Sequence, residues 1–144
     1  MSLENVETVR SWHRAVNRTL SAYSANPGRI EDAPFIDDVF ALADEDIEWS
    51  WPLTPESFRG REGLLQAASD FLEAMEGWQI ELEETIDAGD RVFASLLVRG
   101  RGKGSGAPSD QHVYTVFTFR NGRILRIEDH LDRGVALEAA GLPE

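Results

Sequence analysis

The sequence predicts an α+β fold, in which helices pack over one face of a curved antiparallel sheet. Apolar residues recur at helical spacing in most of the first half of the chain and alternate along most of the second half. Helices followed by a run of strands are typical of α+β proteins, because the helices then cover one side of the sheet. A strongly curved sheet encloses a cone beneath its helices, which is a natural small-molecule pocket.

The N-terminal half contains three amphipathic stretches and one alternating stretch. The first amphipathic stretch carries Trp12 and His13 among its apolar positions, and the alternating stretch ends at Pro52, which cannot continue a central strand. These patterns predict helices over residues 3–23, 33–43 and 61–78, with a strand over 47–51.

The C-terminal half alternates between apolar and polar residues and contains an Asn121-Gly122 pair between two such runs. Asn-Gly is the strongest short hairpin signal, because both residues tolerate the positive φ of a type I′ turn. The pattern predicts strands over residues 79–86, 91–102, 111–119 and 123–131, and a closing helix over 132–140. The whole chain, residues 1–144, is most simply a single domain.

Asp129 is the most informative residue, because it shares a strand face with Leu125, Ile127 and Leu131. A carboxylate on an apolar face must be paired, hydrogen-bonded or neutralised. With a two-residue loop, Tyr114 lies opposite Asp129 and His112 lies opposite Leu131. His112, Tyr114 and Asp129 then converge as a catalytic group for proton transfer.

A three-residue loop gives a different register. Thr115 then lies opposite Asp129, and His112 and Tyr114 turn to the other face of the sheet. Asp129 on its own has two interpretations, a pocket acid–base with a raised pKa or a carboxylate that is hydrogen-bonded for structure alone.

Several aromatic and aliphatic residues fit either the core or the wall of a substrate pocket. The expected substrate-binding residues are Trp12, Trp51, Phe58, Phe71, Val116, Ile127 and Leu131.

The opposite face of the C-terminal hairpin is mostly apolar and predicts a dimer contact. An exposed apolar face usually marks an interface, and two-fold dimers are the commonest assembly. The predicted homodimer buries the outer sheet face, with the residues Val113, Thr115, Phe117, Phe119 and Ile124.

Composition excludes several classes of function. A formal net charge of −12 argues against nucleic acid and anionic membranes as partners, since both favour basic surfaces. The absence of cysteine excludes disulfides and thiolate catalysis and fits a cytoplasmic protein. The N-terminus lacks the basic and apolar regions of a signal peptide, and no apolar run reaches the ~20 residues of a membrane span. The histidines lack metal-ligand spacing, so we expect neither a metal nor another cofactor.

Four segments resemble the SnoaL-like branch of the NTF2-like superfamily. They are 46–52 (Asp-Ile-Glu-Trp-Ser-Trp-Pro), 58–63 (Phe-Arg-Gly-Arg-Glu-Gly), 86–92 (Ile-Asp-Ala-Gly-Asp-Arg-Val) and the run from Asn121 to Asp132. The resemblance covers nearly the whole chain and implies a cone-shaped α+β barrel, a pocket at its wide end and commonly a homodimer. It is specific for the fold and weak for the reaction, because one fold hosts many chemistries.

In the polyketide cyclases of this family, an aspartate on the last strand works as an acid–base with a histidine on the preceding strand. Asp129 matches the aspartate, and His112 lies on the strand of the histidine, although Thr115 is the alternative equivalent. Ketosteroid isomerases of this fold carry a base near the end of the first strand, where residues 49–52 offer no carboxylate. The resemblance therefore favours cofactor-free isomerisation, cyclisation or dehydration of a hydrophobic cyclic molecule. The alternative is a non-catalytic ligand-binding or scaffold domain.

Overall fold

A computed structural model of the chain describes residues 3–143 and has the predicted α+β architecture. The helices are α1 (Leu3–Ala25), α2 (Ile36–Phe40), α3 (Gly60–Ala74) and α4 (Arg133–Ala139), with a 3-10 turn at Ile30–Asp32. The strands are β1 (Ala43–Ser50), β2 (Phe58–Arg59), β3 (Met75–Asp87), β4 (Arg91–Gly102), β5 (Pro108–Arg120) and β6 (Arg123–His130). None of the helices in this range is long and apolar enough to cross a membrane.

The six strands form one curved sheet in the order β2-β1-β6-β5-β4-β3. Neighbouring strands are antiparallel with one exception, since β1 runs parallel to β6. A parallel pair needs a long crossover, and here α3 and the strands β3–β5 provide it. The sheet is therefore mixed, where the sequence predicted an antiparallel one, and β1 is brought beside the strand that carries Asp129.

The third helix ends four residues earlier than predicted. It ends at Ala74, and Met75 is already extended with φ −135° and ψ 155°. The strand β3 begins at Met75, and Gly77 takes φ +66°, which suits glycine, where the pairing with β4 is irregular between Glu76 and Gln79. Trp78 consequently belongs to the sheet and faces the space below α1.

The hairpin between β5 and β6 has the predicted two-residue loop but not the predicted register. Arg120 pairs with Arg123, and Asn121 and Gly122 both have positive φ, 52° and 77°. Beyond the turn Phe119 pairs with Ile124, whereas Thr118 pairs with Arg126, which leaves Leu125 as an extra residue in β6.

That β-bulge shifts every later pair by one residue. Thr115 lies opposite Asp129, and Tyr114 lies opposite His130. The predicted pairing of Tyr114 with Asp129 is wrong, because the turn fixes the register only as far as the bulge.

The hairpin residues that were expected on the outer face line the inside of the cone. Val113, Thr115, Phe117, Phe119 and Ile124 are all at most 7 % exposed, and the apolar ones pack in the main core with α1. The proposed dimer surface is therefore the core itself. A homodimer stays a prediction without an assigned surface.

The convex face of the sheet is covered in part by the closing helix. Ala136 and Leu137 of α4 pack with Phe93 of β4 and Val116 of β5, and the backbone N–H of Val135 donates to the Asp132 carboxylate at 3.0 Å to cap the helix. The helices therefore lie on both faces, with α1–α3 on the concave side and α4 on the convex side.

Candidate functional site

The concave face of the sheet and the helices α1 and α3 enclose a cavity of about 300 Å³. Its wall is mostly apolar and contains seven Phe and Trp side chains. These are Trp12, Phe40, Trp49, Trp51, Phe71, Trp78 and Phe117. A predominantly apolar cavity with few polar groups is typical of a small-molecule site.

Four of these aromatic rings contact one another and form a continuous wall. Trp49 lies 5.6 Å from Phe71 between ring centroids, and Trp51 meets Phe71 edge to face at 6.1 Å. Phe71 meets Trp78 edge to face at 5.8 Å. Such contacts hold the rings in fixed orientations, so the cavity offers flat, rigid surfaces to a ligand.

Asp129 is half-buried and lies in this wall, where two donors hold its carboxylate. The Trp49 indole Nε1–H donates to Oδ2 at 2.6 Å, and the Thr115 hydroxyl donates to Oδ1 at 2.6 Å. Trp49 reaches Asp129 because β1 pairs in parallel with β6, with Trp49 beside Ile127. Thr115 reaches it because the Leu125 bulge places Thr115 directly opposite.

Burial dominates the electrostatics of Asp129. It raises the pKa of the carboxyl from the usual 3.8 to about 6, against the opposing effect of the hydrogen bonds from Thr115 and Trp49. Near neutral pH the group is mostly ionised, yet it binds a proton far more readily than an ordinary aspartate. This is the property required of a general base that works close to neutral pH.

We expect the Thr115→Val variant to raise the pKa of Asp129 by about one unit. Valine keeps the shape of threonine but removes the hydroxyl that stabilises the carboxylate, and a hydrogen bond to a charged group contributes about 1.5–3 kcal/mol. Carbon NMR of the Asp129 carboxyl over a pH series measures the shift.

The matched control is Thr118→Val, on the same strand but on the opposite face. It should leave the Asp129 titration unchanged. A Thr115→Val protein whose Asp129 still titrates as in the wild type would show that the hydroxyl does not stabilise the carboxylate.

His13 is the second titratable residue of the cavity wall. It is 5 % exposed, its Nδ1 lies 2.9 Å from the Val9 carbonyl oxygen, and its ring meets Phe117 edge to face at 5.7 Å. Burial lowers the pKa of His13 from 6.5 to about 4, so the imidazole is neutral near pH 7.

The structure brings part of the predicted site together. Trp12, Trp51, Phe71 and Ile127 line the cavity together with Asp129. The first helix, the first strand and the last strand were predicted correctly enough to place these side chains on the concave face.

The other predicted site residues lie outside the cavity wall. Tyr114 and Val116 point to the convex face, where Tyr114 stacks on Phe93 at 6.4 Å. His112 is on the same face, half exposed, with its Nδ1 3.0 Å from Glu83. The side chains of these three even-numbered residues face outward, because the bulge makes the odd-numbered residues of β5 point inward.

Leu131 and Phe58 are also outside the wall. Leu131 is 38 % exposed, just beyond the end of β6. Phe58 stacks on Trp49 at 5.4 Å, so it supports a wall residue without lining the cavity.

Trp49 and His13 are among the cavity-wall residues that were outside the predicted set. Trp49 required the parallel pairing of β1 with β6, which no local pattern reveals. His13 had a usable signal, because it follows Val9 by four positions and therefore lies on the apolar face of α1. No three His, Asp or Glu side chains cluster as metal ligands would within residues 3–143.

Comparison with known proteins agrees with this architecture. The profile of the SnoaL-like domain family matches residues 9–127. No curated protein matches the chain significantly. An NTF2-like protein of unknown function from Burkholderia pseudomallei superposes with a TM-score of 0.72 and 19 % identity, over 94 % of this chain and 95 % of that one.

Two further solved structures are similar. A putative SnoaL-like polyketide cyclase from Jannaschia sp. has a TM-score of 0.66 and 19 % identity, over 98 % of this chain and 94 % of that one. TerC, co-crystallized with polyporic acid, has a TM-score of 0.70 and 19 % identity, over 96 % of this chain and 98 % of that one. At these identities the likeness concerns the NTF2-like fold. The family profile spans most of the sequence, and the chain therefore belongs to the SnoaL-like domain family.

Proposed function

We propose that this protein binds a planar, mostly apolar cyclic molecule and moves a proton on it without a cofactor, with Asp129 as the acid–base. The reaction class is proton transfer next to a carbonyl group, as in isomerisation, cyclisation or dehydration. The observation that carries the proposal is a single carboxyl of raised pKa in the wall of an apolar, aromatic cavity.

The chemistry follows from the state of Asp129. The ionised carboxylate removes a proton from a carbon beside a carbonyl, and the electron pair of that C–H bond moves into an enolate. The protonated carboxyl then returns the proton to the same or another carbon. The donors Trp49 and Thr115 fix the orientation of the carboxyl through both half-reactions.

The aromatic wall supports the choice of substrate class. The cavity wall presents the ring faces and edges of Trp49, Trp51 and Phe71. A flat, rigid ring system packs against them and loses little conformational entropy when it binds. One protein of the same fold was co-crystallized with polyporic acid.

A test of this proposal needs no natural substrate. 2-Tetralone, a bicyclic ketone with acidic protons beside its carbonyl, is dissolved with the protein in deuterium oxide, and proton NMR follows the replacement of those protons. We expect the wild type to accelerate the exchange above buffer. We expect Asp129→Asn to reduce that acceleration by at least ~100-fold while still binding the ketone.

Two control variants lie on the convex face. His112→Gln and Tyr114→Phe change residues outside the cavity, so both should exchange the ketone at the wild-type rate. Equal exchange by the wild type and Asp129→Asn would contradict the assignment of Asp129 as the base.

A non-catalytic binding domain is the second candidate, and one observation favours it. Both carboxylate oxygens of Asp129 already accept a hydrogen bond from a neighbouring side chain, as in a carboxylate kept for structure. In that case 2-tetralone stabilises the wild type and Asp129→Asn equally against thermal unfolding, and neither protein accelerates exchange.

We also propose that the protein is a cytoplasmic, single-domain homodimer. The absence of cysteine fits a reducing cytoplasm, and the continuous sheet fits a single domain. A homodimer fits the general preference for two-fold assembly.

A further inference from the structure

We propose that His13 selects the ligand, because its Nε2 accepts a hydrogen bond from a hydroxyl group at the inner end of the cavity. This inference rests on the proposed function of the cavity and adds the polar group that the ligand must carry. It makes His13 a specificity-determining residue, separate from the acid–base Asp129.

The hydrogen bond to Val9 determines the tautomer of His13. A carbonyl oxygen can only accept, so Nδ1 carries the proton and donates it to Val9 at 2.9 Å. In the neutral ring Nε2 is then an acceptor with a free lone pair. Nε2 has no hydrogen-bond partner among the residues that the structure describes, although the ring lines the cavity.

The position of His13 along the cavity follows from β5. Ser109 and Gln111 line one end of the cavity and are exposed, so that end is the mouth. Two inward steps further along the strand Thr115 is 1 % exposed, and Phe117 after it is equally buried. His13 packs edge-on against Phe117, so it lies at the inner end.

The positions of His13 and Asp129 along β5 indicate the ligand class. Asp129 pairs with Thr115, and His13 contacts the next inward residue, Phe117. These two β5 residues lie about 7 Å apart along the strand. A planar molecule of two fused rings with oxygen groups at opposite ends matches this spacing. The group at the inner end must be a donor, because a carbonyl or ether oxygen would meet the Nε2 lone pair.

Two compounds that differ by one methyl group test this inference. Naphthalene-2,6-diol carries a donor at each end, whereas its monomethyl ether carries only one. Calorimetric titration of the wild type should give about tenfold tighter binding of the diol, the upper range for a neutral hydrogen bond. In His13→Phe, which keeps an aromatic ring against Phe117, the preference should fall to about twofold, the statistical advantage of a symmetric ligand.

The matched control is Thr8→Val. Thr8 also lies on α1 and donates to a carbonyl four residues earlier, that of Glu4, at 3.0 Å, but it is not part of the cavity wall. Thr8→Val should keep the tenfold preference, which separates the effect of Nε2 from the loss of a polar side chain on this helix.

The outcomes separate the two proposals. Binding of both compounds with equal strength to the wild type, or a preference that persists in His13→Phe, overturns the role of His13 and leaves the cavity proposal standing. If neither compound binds the wild type, the proposed ligand class fails and the role of His13 fails with it. If His13→Phe does not fold, nitrogen NMR of the wild type decides, since the diol must shift the Nε2 resonance more than the ether does.

Discussion

The Asp129→Asn protein is expected to be more stable than the wild type at pH 7.5, by about 3 kcal/mol in the free energy of unfolding, and equally stable below pH 4. The pKa of Asp129 is about 6 in the folded protein and 3.8 in its ordinary state. Each unit of difference corresponds to about 1.4 kcal/mol. Above pH 6 the folded wild type therefore bears the cost of a buried carboxylate.

The direction follows from proton binding. Between pH 4 and 6 the folded wild type binds more protons at Asp129 than the unfolded chain does, so this group makes stability fall as pH rises through that window. Asparagine has no such cost. Its oxygen can accept from Trp49, and its amide can donate to the Thr115 oxygen, so both hydrogen bonds are retained.

Denaturant unfolding of the two proteins at several pH values between 4 and 7.5 measures the difference. All other carboxyl groups are common to both proteins and cancel in the comparison. An Asp129→Asn protein that is less stable at pH 7.5 would mean that the carboxylate stabilises the fold, which is the structural interpretation of this residue.

The His13→Phe protein is expected to show the opposite pH dependence. The pKa of His13 is about 4 in the folded protein and 6.5 ordinarily, because burial disfavours the imidazolium. As pH falls from 6.5 to 4, the unfolded wild type takes up a proton at His13 that the folded protein does not. This group therefore removes about 3 kcal/mol of stability over that range.

Phenylalanine does not titrate, so His13→Phe should gain about 3 kcal/mol relative to the wild type between pH 7 and pH 4. The same unfolding series measures this gain. The quantity to compare is how the stability difference between His13→Phe and the wild type changes with pH, not its value at a single pH. A constant difference between His13→Phe and the wild type would show that His13 is not buried as a neutral ring.

Together the two residues make the wild type less sensitive to pH than either variant. Between pH 4 and 6 Asp129 stabilises the folded state as pH falls, and His13 destabilises it by a similar amount. Each substitution therefore leaves the effect of the other residue on the pH dependence of stability unopposed. The cost of Asp129 at neutral pH is the kind of destabilisation that functional sites retain.

Local patterns in the sequence were sufficient to predict most of the helices and strands of this fold. Val6, Val9, Trp12 and Val16 recur at helical spacing and form the buried face of α1. Asn121 and Gly122 were sufficient for the turn, because few residue pairs tolerate positive φ at both positions. Asp129 stood out because a carboxylate on an apolar strand face needs an explanation.

The partners of Asp129 depended on tertiary structure. Because Leu125 is an extra residue in β6, Thr115 instead of Tyr114 lies opposite Asp129. The only trace of this bulge in the sequence is the spacing of Ile124 and Ile127, which are both buried although they are three residues apart. Trp49 came from a strand 80 residues away through a parallel pairing.

The sequence by itself determined the α+β class, most of the helices and strands, the family resemblance and the importance of Asp129. Only the tertiary structure decided which face of the hairpin is the inside, which donors hold the carboxylate, and that His13 shares the cavity. The physical reason is that turns and periodicity act over a few residues, whereas a β-bulge, a parallel crossover and the burial that shifts a pKa depend on contacts between distant parts of the chain.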